Sequence, residues 1–95
     1  MCMENEDKSI WVFNGERSCF PSGLFLELNV AEAWISSHGL TGVLTRYPYD
    51  VGAYDHAVEN GFFEPKKDEH RTPAFIGRFS SGGFEHHHYE NEKRA

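Results

Sequence analysis

The sequence predicts a small, single α+β domain, an antiparallel sheet of about four strands with helices on one face, and three observations carry that reading. Strand-forming runs sit between turn signals, as in SIWVFNG (Ser9 to Gly15) and GVLTRYP (Gly42 to Pro48). Two segments with helical spacing carry their own start and stop residues. At 95 residues the chain has room for one core and not for two.

The elements follow in order. SIWVFNG is a first strand that ends at the turn signal Asn14-Gly15. SCFPSGLFLEL resumes apolar character, but Pro21 makes the second strand either an edge strand or one that begins at Gly23, and the two strands form an antiparallel hairpin. Asn29 with Glu32 three residues on has the form of a capping box opening VAEAWISSH, and Gly39 closes that helix. Val30, Ala33, Trp34 and Ser37 are its expected inner face, and His38 suits the negative end of its dipole. GVLTRYP is the third strand, stopped by Pro48. Asp50 is the expected cap of a second helix to Gly61, with Val51, Tyr54 and Val58 inward. FFEPKKDEHRTP reads as an exposed charged loop. Residues 73–79 fit either a strand or, with Thr72 as cap, Pro73 at the first position and Phe75, Ile76 and Phe79 at helical spacing, a short helix, which is favoured. After the break at Ser80 to Gly83, FEHHHYE is the last strand. Residues 1–8 read as a disordered acidic tail, 9–90 as the domain and 91–95 as a polar tail.

Trp11, Phe13, Phe25, Trp34, Phe62, Phe75 and Phe79 are the large side chains expected to fill the core. Cys2 and Cys19 do not make a disulfide framework, and Cys19 reads as a small, partly buried apolar residue in a reducing compartment. The absence of a long apolar run and the acidic start MCMENEDK predict a cytoplasmic protein with no membrane partner.

A net charge of −6 argues against direct nucleic-acid binding, which needs clustered Lys and Arg to displace counterions. Lys66, Lys67 and Arg71 are interrupted by Asp68 and Glu69. Acidity instead suits a basic protein partner, because opposite fields speed encounter and set orientation. The chain has no Gly-x-Ser-x-Gly, phosphate loop, Cys-x-x-Cys or His-Glu-x-x-His motif. In a strand, the three consecutive histidines alternate, so Phe84, His86 and His88 point one way and Glu85, His87 and Tyr89 the other. His86 and His88 are therefore a two-ligand start for zinc, with His56, His70, Asp55 or Glu69 as further ligands if the fold brings one close.

WVFNG, FPSG, AEAWI, LTGVLTRYP, PKK and FIGRFSS followed by EHHHYE resemble a family of short uncharacterised bacterial proteins grouped only as a domain of unknown function. The resemblance runs from Ile10 to about Glu90 and implies a bacterial, single-domain cytosolic protein; it carries no activity, cofactor or catalytic residue. The functional expectation from the residues is a non-enzymatic acidic protein-binding module, of the immunity or antitoxin type, that inhibits a basic, nuclease-like toxin. Its expected partner contacts are Asp55, Glu59, Glu85, His87 and Tyr89, and it needs no cofactor. Tyr47, Tyr49 and Tyr54 join Tyr89 as tyrosines suited either to an interface or to the core edge. The alternatives are a small metal-dependent or acid–base enzyme using His86 and His88, with Tyr47 or Tyr89 as donor, and a homo-oligomeric module pairing through a strand edge.

Overall fold

A computed structural model describes residues 8–80 and 83–94. The expected tail at residues 1–8, apart from Lys8, and the middle of the break at Ser80 to Gly83 lie outside the described residues. The strands are β1 (Ser9–Gly15), β2 (Pro21–Phe25), β3 (Gly42–Pro48), β4 (His86–Glu90) and β5 (Lys93–Arg94). The helices are α1 (Leu28–His38), α2 (Ala53–Glu59) and α3 (Pro73–Gly77), with a 3₁₀ turn at Asp68–Arg71. All strand pairs are antiparallel, in the order β2-β1-β3-β4-β5.

The α+β class holds, with five strands rather than about four. β2 begins at Pro21 and lies at the sheet edge, where a residue without an N–H costs no ladder bond. The fifth strand comes from the segment read as a polar tail. Asn91 and Glu92 both have positive φ (51° and 69°) and form the two-residue link that turns β4 into β5, a backbone twist that matches the strands on either side. Two bonds tie this turn to the α1–β3 connection, Glu92 N–H to the Leu40 carbonyl (2.7 Å) and Asn91 N–H to Thr41 Oγ1 (2.9 Å).

Helix α1 starts earlier than its expected cap. Glu27 is the N-cap residue and makes no side-chain capping bond, so Asn29 and Glu32 do not form the expected box. Gly39 does close the helix, in the left-handed conformation (φ 61°) that a Cβ disfavours. The inner stripe is Leu28, Ala31 and Ile35 with Trp34 beside it, one residue out of phase with the expected face; Val30 and Ala33 point to solvent. Ala31 is small enough to bring the helix close to the sheet, and Ile35 fills the centre against Trp11, Phe13, Leu44 and Tyr89. Trp34 meets Phe13 edge-on (5.6 Å between ring centres) and leans on Phe25 (5.3 Å).

A second aromatic cluster joins α2, the 3₁₀ turn and α3. Tyr54, Phe63, Phe75 and Phe79 meet with ring centres 5.1–6.2 Å apart. His70 leans on Phe75 (4.9 Å between ring centres, 36° between planes), and its Nδ1 accepts the backbone N–H groups of Lys66 and Lys67. These contacts order the segment read as an exposed loop. Asp50 does not cap α2: it lies in the preceding turn with φ 67°, Gly52 is the N-cap residue, and Ala57 is the buried residue of the helix. Phe63 takes the inward place expected of Phe62, which is 56% exposed. Cys19 is exposed, not partly buried.

Residues 73–77 are the helix favoured from the sequence, and its expected cap is present: Thr72 Oγ1 accepts the Phe75 N–H (3.2 Å), with Pro73 at the first position. Thr72→Ala is expected to cost α3 about 1 kcal/mol, read as roughly fivefold faster hydrogen exchange of the α3 amides. Unchanged exchange would mean that the aromatic cluster alone holds the helix.

The molecule measures 44 × 39 × 19 Å, and the short dimension is that of one sheet with one helical layer. Helix α1 covers the face bearing Trp11, Phe13, Leu44 and Tyr89. On the other face, α2 reaches the sheet at one end, where His56 meets Phe84 (5.9 Å) and Phe84 meets Tyr47 (5.4 Å). No described helix is long and apolar enough to cross a membrane.

Candidate functional site

Strand β4 alternates as its sequence requires. Its register with β3 pairs Leu44 with His87 and Gly42 with Tyr89 on the α1 side, and Thr45 with His86 and Val43 with His88 on the other. The five expected partner contacts are thereby divided between two places.

Glu85, His87 and Tyr89 lie on the α1 side, where each is engaged within the fold. His87 stacks on Trp11 (5.7 Å, 24° between planes) with Nε2 3.3 Å from Glu85 Oε2. Arg46 Nη1 lies 3.3 Å from the other Glu85 oxygen, its guanidinium reaches over Trp11, and its Nε donates to Ser9 Oγ (2.9 Å). The Glu85 carboxylate is thus shared by two neighbours while still half-exposed. Tyr89 is corrected from a surface contact to a core residue: it is 5% exposed, and its hydroxyl donates to Glu32 Oε2 (2.5 Å). Arg94 from β5 closes on the same Glu32 oxygen.

This Glu32–Tyr89–Arg94 group titrates away from ordinary values. The hydrogen bond from Tyr89, with help from Arg94, holds the Glu32 carboxyl below its usual range against the opposing effect of burial. Burial first, and the bond to the Glu32 carboxylate second, push the Tyr89 phenol up to about 12. Glu32 and Arg94 were absent from the expected contacts because no local pattern joins them; Glu32 lies 57 residues from Tyr89 and 62 from Arg94.

Asp55 and Glu59 occupy the second place, the outer side of α2. Both are exposed, one turn apart, and among the described residues neither side chain makes a hydrogen bond or ion pair. Val58, also exposed, lies beside them at spacing i+3 from Asp55; past the helix end Gly61 (φ 75°) turns the chain, and Phe62 packs on His56 (6.1 Å) toward the sheet side. The inward side of α2 is Tyr54 and Ala57.

His86 and His88 form a third place, on the sheet face away from α1. Their rings are 5.2 Å apart and nearly perpendicular (80°). None of the further ligands weighed from the sequence joins them; among the described residues no three His, Cys, Asp or Glu side chains are grouped to hold an ion. Tyr89 is on the opposite side of the strand, whereas Tyr47, two residues beyond Thr45 on β3, shares the sheet face of the pair and packs edge-on against Phe84 (5.4 Å).

The architecture defines the class: a two-layer α+β protein with a five-stranded antiparallel sheet, one helix across its core face and polar side chains along the last long strand. The chain belongs to the family described as Domain of unknown function (DUF7710), matched over residues 10–95. The comparisons with curated proteins and with solved structures found no match.

Proposed function

We propose that this protein is a non-enzymatic, acidic protein-binding module of the immunity or antitoxin type, which covers a basic, nuclease-like toxin with the outer side of α2. One observation carries the reading: Asp55, Val58 and Glu59 form an exposed side of α2 on which two carboxylates with no internal partner flank an apolar side chain. An amphipathic side of this kind suits a groove, with the apolar residue as anchor and charges for orientation. Glu32 and Glu85, in contrast, are committed to Tyr89, Arg94, Arg46 and His87 inside the fold. The contact set therefore narrows to Asp55 and Glu59, joined by Val58.

The test compares the wild-type protein with the Asp55→Lys/Glu59→Lys variant as bait in lysate of the native cell, at low and at moderate salt. The expected result is one stoichiometric basic protein that the wild type holds at low salt and loses as salt rises, and that the variant binds at least tenfold more weakly. Equal capture by the variant removes α2 from the interface. A bait that elutes alone at both salt concentrations removes the toxin-inhibitor reading.

A further inference from the structure

We propose that His86 and His88 form a chelating site on the open sheet face for a late first-row divalent cation, zinc or nickel, with solvent completing its coordination. The pair is independent of α2 and of the partner reading above.

Four observations support it. First, both rings are exposed and leave β4 on the same side, in rows with Thr45 and Val43, whose small side chains leave space above the sheet. Second, the tautomer of His86 is set. Its Nδ1 lies 2.9 Å from the Phe84 carbonyl oxygen, which can only accept, so Nδ1 carries the proton and Nε2 keeps the lone pair that a metal needs. A ring nitrogen bound to a backbone carbonyl is the usual outer support of a metal-ligating histidine.

Third, the ring separation fits. With a metal–nitrogen bond of about 2.1 Å, two imidazoles on one tetrahedral ion hold their ring centres roughly 5 Å apart. The observed separation is 5.2 Å. Fourth, Glu16 and Glu90 line the same shallow groove as His88, which supplies carboxylates on that side, with Lys93 on β5 opposite Glu90. With two imidazoles and no third ligand within the described residues, the chemistry selects nitrogen-seeking ions over calcium or magnesium, which require several oxygen donors. His87, on the opposite side of the strand and packed on Trp11, is a control built into the same run.

The experiment titrates zinc into the full chain, carrying no polyhistidine tag and with Cys2→Ser and Cys19→Ser, because the exposed Cys19 thiol is itself a zinc ligand. A chromophoric chelator reports affinity, and the histidine ring resonances report which side chains bind. One equivalent is expected to bind, moving the His86 and His88 resonances. His86→Ala or His88→Ala should each weaken binding by at least the ~10-fold that loss of even an outer hydrogen-bond partner costs a metal site, while His87→Ala binds as the parent does. Both substituted rings are exposed, and an unchanged circular dichroism spectrum verifies the fold. Either single variant binding like the parent, or His87→Ala losing as much as the other two, overturns the site.

Discussion

Gly42→Ala is expected to lose about 3 kcal/mol or more of stability. Gly42 pairs with Gly15 across β1 and with Tyr89 across β4, and it is buried. A Cβ placed there would meet the Asn14 carbonyl oxygen, fall 2.7 Å from the Phe13 ring and lie 2.9 Å from the Gly15 Cα. Two of those three neighbours are backbone, so no rotamer change relieves the clash and β1 must move away from β3. Phe13 is itself 1% exposed at the centre of the core, so its ring has nowhere to retreat. Against a total stability of about 5–10 kcal/mol for a domain of this size, the melting temperature should fall by roughly 12–20 °C. Gly77→Ala is the matched control: an added Cβ there meets nothing within 4 Å, and an alanine near the end of α3 should be neutral or stabilise by up to about 1 kcal/mol. Equal urea midpoints for Gly42→Ala and wild type would contradict the close approach of β1 and β3.

Tyr89→Ala should cost about 3–5 kcal/mol, whereas Tyr89→Phe should cost about 1 kcal/mol and change how stability depends on pH. Alanine leaves a ring-sized void beside Ile35 and Leu44. Phenylalanine fills the same volume and removes only the hydroxyl, leaving Glu32 to Arg94 and solvent. In the wild type the pair makes stability fall at both ends of the pH range. Glu32 is depressed in the folded protein, so below the ordinary value of 4.5 the unfolded chain takes up a proton first, and stability is lost as pH falls through the folded value. Tyr89 is raised from 10.0 to about 12, so between those values the unfolded chain gives up its proton while the folded one keeps it. That contribution is complete below pH 10 and disappears as pH approaches 12. Urea midpoints measured across both windows should show the alkaline decline of the wild type to be shallower in Tyr89→Phe. Parallel curves for the two proteins would mean that the phenol does not titrate against the core.

The same pair shows why the candidate sites were only partly readable from the sequence. The alternation of FEHHHYE separates His86 and His88 from Glu85, His87 and Tyr89 without any tertiary information, since strand geometry alone sends neighbours to opposite faces. Which of those faces meets α1 is a property of the packed sheet, and it turned Tyr89 from an expected contact into a buried anchor. Asp55 and Glu59 stayed at the surface because helical spacing puts them together and the aromatic cluster holds Tyr54 on the other side.

Local chemistry alone determined β1, β3, the Gly39 stop and the Thr72–Pro73 start of α3, because each depends on the conformational limits of residues adjacent in the chain. Tertiary structure decided the rest. The phase of α1 shifted by one residue to place Ala31 and Ile35 against the sheet. Asn91 and Glu92 became a turn with anchors on Leu40 and Thr41, and β5 formed beside β4. Glu32 left its expected capping role for Tyr89 and Arg94. For Glu32 and for the Asn91–Glu92 turn the deciding partner lies fifty or more residues away, and for α1 it is the packed face of β1, β3 and β4; such contacts are set by packing and burial that no short window of sequence contains.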